Sequence, residues 1–211
     1  MKAPYRPRLP SAGKLLALAA IALLIAFAVM TFFSSPDEPL PTEQNVSVER
    51  FMGDWYVQGH VPIFTEKDAY NAVESYVRDD EGKIQTIYAF REGAFDGSIK
   101  TNKPTGFVED EKTGAEWSMR FIWPFKAEYL IAYVDDAYTE TIVARSKRDY
   151  AWIMTRDAEI SDERYDRLAA RVEALGYDLS DLRRVPQSWP DPGHPVSQAA
   201  QNSLARSTYE E

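Results

Sequence analysis

From Trp55 to Thr155 the chain alternates apolar and polar residues in short runs broken by clusters of Gly, Pro and Asp. A period of two places successive side chains on opposite faces of a strand. The runs predict eight strands: Trp55–Gly59, Ala72–Arg78, Lys83–Arg91, Thr105–Val108, Ala115–Ile122, Glu128–Val134, Thr139–Ala144 and Tyr150–Thr155. Asp79–Gly82, Asp110–Gly114, Asp135-Asp136 and Ser146–Asp149 supply turn residues between them, and Pro62–Asp68 and Glu92–Thr101 read as longer loops. The period then changes. Ser161 is placed as an N-cap, Tyr165, Leu168, Ala169, Val172 and Leu175 form one apolar stripe, and Gly176 stops the helix. Eight consecutive strands with short connections predict an all-β, up-and-down antiparallel barrel with one C-terminal α-helix on its outside. Eight strands enclose enough space for one small ligand.

The amino-terminal end has no periodicity. Leu15 to Phe33 is 19 residues without a charge, about 28 Å as a helix and close to the roughly 30 Å of bilayer hydrocarbon. It predicts a single transmembrane helix, with a cleaved signal sequence as the alternative. Residues 1–14 form a basic flank (Lys2, Arg6, Arg8, Lys14) that stays cytoplasmic by the positive-inside rule, so the rest crosses the membrane. Localisation is then membrane-anchored with the barrel on the periplasmic side, or periplasmic after cleavage. Residues 34–47 are Pro-rich and read as a tether, residues 48–187 as the barrel domain, and residues 188–211, with several prolines and then polar residues, as a disordered tail.

Charge and composition narrow the chemistry. Net charge is -9, and with the four bases of the flank set aside, 20 bases remain against 33 acids. Such a domain repels nucleic acid. The absence of cysteine removes disulfides, thiolate metal sites, thiol catalysis and lipidated cysteine. The two histidines are His60, near the first loop, and His194, in the expected tail, and neither a nucleophile elbow nor a phosphate-binding loop occurs. We therefore expect no catalytic residue, no metal, no cofactor and no enzyme.

With this pattern in place, the sequence resembles the lipocalins, most of all their bacterial and apolipoprotein D-like branch. The residues that carry the resemblance are Gly53-x-Trp55 after the short turn Val48–Met52, then Asp135-Asp136-Ala137-Tyr138, and Tyr150-Ala151-Trp152-Ile153-Met154-Thr155-Arg156. Phe121–Phe125 and the helix before Gly176-Tyr177-Asp178 also fit. The resemblance spans residues 48–187. It implies that Gly53, Trp55 and Arg156 close the barrel floor, with the guanidinium over the indole. It also turns Ala72, Glu74 and Tyr76 inward, although a local bulge would turn Glu74 out. Where bacterial relatives carry an acylated cysteine, this chain has the apolar segment instead.

Counting alternately from Trp55 places Val57 and Gly59 inside. The same count gives Thr86, Tyr88 and Phe90 on the third strand, Trp117, Met119 and Phe121 on the fifth, Tyr129, Ile131 and Tyr133 on the sixth, and Trp152 and Met154 on the eighth. With Glu74 and Tyr76, these are the candidate ligand-binding residues. An interior rich in rings with a few polar groups suits a fatty acid, a lysophospholipid or a similar amphiphile, unless the rings themselves fill it. The expected function is carriage of such a ligand, with roles as an envelope interaction module or as an enzyme on a bound lipid as alternatives. Partners are the ligand and, through the helix, the membrane; the sequence leaves oligomeric state open.

Overall fold

The computed structural model describes residues 12–33, 39–62, 66 and 68–196, and the chain divides into two compact units, residues 1–34 and 35–211. The expected tail from 197 onward, most of the basic flank and most of the first loop lie outside the described residues.

The first unit contains α1 (Ala12–Phe33), a helix of 22 residues whose one charged side chain, Lys14, lies in its first turn. At 1.5 Å per residue it is about 33 Å long. Leu16, Leu18, Ile21, Leu23, Leu24 and Phe27 are all exposed on it, so no single face gathers the apolar residues. Side chains along α1 are only partly described, and over the described residues no helix is long and apolar enough to cross a membrane.

The second unit is a barrel. A single helical turn, α2 (Val48–Phe51), is N-capped by Ser47, whose side chain accepts from the Arg50 amide. Gly53 follows at φ +94°, a backbone conformation open to glycine but costly for other residues. The strands are β1 (Gly53–Val61), β2 (Ala69–Arg78), β3 (Ile84–Glu92), β4 (Ile99–Asn102), β5 (Thr105–Val108), β6 (Glu116–Ile122), β7 (Phe125–Val134), β8 (Glu140–Ala144) and β9 (Ala151–Thr155). All pairings are antiparallel, and β1 pairs with β9, which closes the sheet on itself. Both β4 and β5 pair with β3 and together act as one interrupted wall strand, so the barrel is eight-stranded. The reading of Glu92–Thr101 as loop is corrected at β4, a segment too polar to show alternation.

Helix α3 (Asp162–Ala174) begins at Ser161, whose hydroxyl accepts from the Arg164 amide at 3.2 Å. Its buried stripe, Leu168, Ala169 and Val172, packs outside the barrel with Leu130, Ile142, Ile153 and Val61. Burial of each large aliphatic side chain there contributes about 1.5–3 kcal/mol. Gly59 admits the Tyr165 ring to the wall, because a Cβ there would lie 2.9 Å from it.

Parts of the expected tether and of the expected disordered tail are folded. Within the expected tether, Leu40 is buried and its amide donates to Ser146 Oγ at 3.0 Å, while the Glu43 and Val46 amides donate to the carbonyls of Ile131 and Thr113. Within the expected tail, residues 188–196 pack on the barrel. The two-residue strand β10 (Arg183–Arg184) pairs with β1 where β1 and β2 separate. Beyond it, Val185 donates to Gln58 O, Pro186 O accepts from Asn71, and Gln187 Nε2 donates to the carbonyls of Val57 and Ala72. The strap is then fastened by Asp191, which accepts from Arg91 at 2.6 Å through both carboxylate oxygens and from Asn71 at 3.0 Å. Trp189 packs edge-on against Tyr56 and against the buried His194. Pro and Gly spacing made this stretch look unstructured; a few specific anchors hold it.

Candidate ligand-binding site

The floor is built first. Trp55 is fully buried, and its indole N–H donates to Phe51 O at 2.8 Å. Phe51 fills the space beside it, with ring centroids 5.1 Å from Trp55, 5.4 Å from Tyr76 and 5.3 Å from Trp117. Arg156 lies across this plug with its guanidinium 3.7 Å from the Trp55 ring centroid. It donates to the carbonyls of Asp54 (2.6 Å), Met52 (2.8 Å), Phe51 (3.1 Å) and Arg50 (3.1 Å). Burial pushes the guanidinium down to about 10, which leaves it charged at neutral pH. The turn that feeds β1 is thus tied to the end of the last wall strand.

Register fixes what faces inward. Trp55 lies opposite Glu74, Glu74 opposite Tyr88, and Trp117 opposite Tyr129. Val57 lies opposite Met154, and Val143 opposite Trp152. Of the residues expected inside, Val57, Glu74, Tyr76, Thr86, Tyr88, Phe90, Trp117, Met119, Tyr129, Ile131, Trp152 and Met154 are buried within the barrel. Glu74 takes the inward alternative and is 4% exposed.

Three expectations are corrected. Tyr133 faces outward. A bulge between Ile131 and Tyr133 inserts Ala132, so Ile131 pairs with Val143 but Tyr133 with Ile142, on the outer face. There Tyr133 donates to Glu140 at 3.0 Å and carries the Arg171 guanidinium of α3 over its ring at 4.0 Å. Gly59 is turned outward by a second bulge, between Val57 and Gly59, and the same shift brings His60 inward opposite Trp152. Phe121 is not buried: at 37% exposed it stands on the rim with Ile122, Trp123 (79% exposed) and Phe125, around the β6–β7 turn at the end opposite the floor.

The interior polar groups form a graded set. Near the floor, the hydroxyls of Tyr76 and Tyr129 are hydrogen-bonded to each other, and Tyr129 donates to Glu74 at 3.3 Å. Burial pushes Glu74 up to about 7, against the pull of these two hydroxyls. Farther up, Glu66, on the β1–β2 connection, is 3% exposed. Burial and then the charge of Glu74 push it up to about 8, and the nearby Trp152 N–H opposes the shift without closing a hydrogen bond. Both carboxyls act on Tyr88, whose hydroxyl is held well above its ordinary range, chiefly by burial. His60 is buried and pushed down to about 4 by desolvation and then by Arg183. Glu66 Oε2, His60 Nδ1, Thr86 Oγ1, Tyr88 Oη and Trp152 Nε1 are all buried without a hydrogen-bond partner among the described residues. A buried polar atom left unpaired costs about 1–3 kcal/mol, so five within one barrel mark a place shaped for something else. Arg145, buried just after β8, is engaged by Asp149 at 3.0 Å and lies over the Tyr150 ring. Among the described residues no group of three or more acidic or histidine side chains could hold a metal ion.

Glu66 and His60 escaped the sequence reading. Glu66 sits in a connection without alternation, and His60 lies beyond a bulge that reverses the count. A carboxylate flanked by Ile63, Phe64 and Thr65 was the available signal for Glu66.

A closed antiparallel barrel with a plugged floor, one external helix and an interior of rings and unpaired polar atoms defines a class of β-barrels that take small molecules inside. A family model described as Lipocalin-like domain matches residues 46–187, and the chain belongs to the lipocalin family. Members of that family generally bind small hydrophobic ligands and are typically not enzymes. Temperature-induced lipocalin-1 of Arabidopsis thaliana is 28% identical over 154 residues, covering 69% of this chain and 81% of that protein. Outer membrane lipoprotein Blc of Citrobacter freundii is 27% identical over 172 residues, covering 81% and 97%. Among solved structures, the cockroach allergen Per a 4 aligns with a TM-score of 0.55 at 19% identity, over 74% of this chain and 96% of its own. Insecticyanin from the tobacco hornworm Manduca sexta aligns at 0.55 and 13% identity, over 75% and 87%. At those identities the structures speak for the fold alone.

Proposed function

We propose that this lipocalin binds a small hydrophobic or amphipathic molecule inside the barrel and carries it to or from a membrane to which α1 anchors it. The observation that carries the reading is the interior itself: rings of Tyr88, Phe90, Tyr129 and Trp152 beside buried polar atoms that lack partners among the described residues. Rings supply area for an acyl chain, and the unpaired atoms supply contacts for a head group. The anchor reading is supported by the uncharged run from Leu15 to Phe33 and by the exposure of its apolar side chains. The basic flank favours a periplasmic barrel. One relative is by name an outer membrane lipoprotein. The present chain has no cysteine to acylate, so its attachment would rest on the helix. A tethered container exchanges with its bilayer at high effective concentration, and the apolar rim around Trp123 suits that exchange. Maintenance of membrane lipid is the role this reading favours.

The test is native mass spectrometry of the full-length protein released from lipid nanodiscs, together with displacement of a fluorescent fatty acid. Co-purified lipid and saturable displacement are expected. Failure of both would refute carriage.

A further inference from the structure

Glu66 and Glu74 have no base as partner among the described residues, yet both are buried in the barrel and close enough for Glu74 to act on Glu66. Tyr88 stands in range of both carboxyls, opposite Glu74 in the β2–β3 register, and its hydroxyl is unpaired among the described residues. The Tyr129 and Trp152 rings are in contact at 5.7 Å between centroids, and Tyr129 reaches Glu74. The geometry points to a subsite for a cationic nitrogen between Glu66 and Glu74, walled by Tyr88, Tyr129 and Trp152, and so to an amphiphile with a primary ammonium head. This rests on the reading of the barrel as a ligand carrier and narrows its substrate class.

The chemistry selects among head groups. Glu74, partly ionised near neutrality, repels a carboxylate or phosphate. Ring faces and carboxylates together attract an organic cation. A metal ion would want more oxygen or nitrogen ligands than the described side chains bring together. An ammonium with N–H bonds, rather than a quaternary nitrogen, meets the unpaired acceptors, Glu66 Oε2 and Tyr88 Oη. Once Glu66 is ionised by the incoming charge, it also accepts from the unpaired Trp152 N–H. The cation therefore replaces protons. Near neutrality Glu66 holds its proton and Glu74 holds one in part, and both give them up on binding, while Tyr76, Tyr88 and Tyr129 stay protonated and His60 stays neutral.

The experiment uses the full-length protein in phosphatidylcholine nanodiscs with a bound fluorescent fatty alcohol, whose head is uncharged. Dodecylamine, dodecanoic acid and dodecanol share one chain and differ only in the head. Dodecylamine is expected to displace the probe at least about tenfold better than dodecanoic acid at pH 7.5, a difference of about 1.4 kcal/mol. Glu66→Gln and Glu74→Gln should each remove that preference, the amine losing affinity relative to both dodecanol and dodecanoic acid. Calorimetry of the unmutated protein at pH 6.5, in buffers of different ionisation enthalpy, should show net proton release with dodecylamine and none with dodecanol. Equal displacement by the amine and the acid, or binding without proton release, overturns the ammonium site while dodecanol binding still upholds the carrier. Absence of any probe binding overturns both.

Discussion

Arg156 and Trp55 are 101 positions apart in the chain, and the guanidinium of one lies 3.7 Å from the ring centroid of the other. The contact is more than a stacked pair, because the same guanidinium donates to four carbonyls of the turn, those of Arg50, Phe51, Met52 and Asp54. Arg156→Ala removes the stacking and strands those carbonyls under the floor. We expect a loss of about 2–4 kcal/mol, read from urea unfolding followed by tryptophan fluorescence. Arg156→Lys keeps a charge but not the planar fork, and should recover less than half of the loss. Full recovery by lysine would show that charge alone matters.

The outward turn of Tyr133 separates two kinds of aromatic residue on β7. Tyr133→Phe loses the hydrogen bond to Glu140 and should cost about 0.5–1.5 kcal/mol with ligand affinity unchanged. Tyr129→Phe loses a hydroxyl shared with Tyr76 and Glu74, and should alter binding of the head group. Fatty-acid probe titrations of the two variants decide this; a binding defect in Tyr133→Phe would place that ring back in the ligand's path.

Stability should fall as pH rises from about 6.5 to about 8. A carboxyl whose pKa is raised by folding binds protons in the folded state that the unfolded chain has already lost, so stability declines between the unfolded and folded values. That window runs from 4.5 to about 7 for Glu74 and from 4.5 to about 8 for Glu66. His60 works in the opposite sense. Lowered from 6.5 to about 4, it costs stability as pH drops through that range, which offsets the acids below pH 6.5 and leaves the upper part of the window clean. Melting temperatures between pH 6.5 and 8 should show the decline, and Glu66→Gln or Glu74→Gln should flatten it. A curve that rises across this range contradicts the burial of both acids.

Asp191→Asn tests the strap. The carboxylate accepts from Arg91 through both oxygens, and Arg91 in turn holds it down to about 2. Loss of the charge should cost about 1–3 kcal/mol. Hydrogen exchange should speed up locally in residues 183–196, with the floor unaffected. Uniform acceleration throughout the barrel would mean instead that the strap is part of the cooperative core.

Much of this was legible in the chain, for a physical reason. Alternation reports which face a residue occupies as long as every residue advances the strand by one step. Trp117, Met119 and Tyr129 obeyed that rule, as did Thr86, Tyr88 and Phe90. Ala132 and Gln58 break it: each is the extra residue of a bulge, and everything beyond is inverted, Tyr133 outward in one case and His60 inward in the other. Nothing in the residue types announces the extra step. Glu66 was hidden differently, since a connection carries no periodicity and a lone acid in it reads as solvated. Leu40 and Trp189 sat among prolines, where composition argued for a tether in one case and for disorder in the other, and single anchoring contacts decided otherwise.

The stretch Val185–Gln187 fills the opening between β1 and β2, bonding to Gln58 and Asn71 and, across separations of 130 and 115 residues, to Val57 and Ala72. Such contacts are entropically late, because the chain between them must be ordered or looped before they form. During synthesis the gap stays open until nearly the whole domain has emerged. In the finished protein the backbone groups of Val57, Gln58, Asn71 and Ala72 that these bonds use are already engaged, so a neighbouring chain would have to displace this stretch to add a strand there.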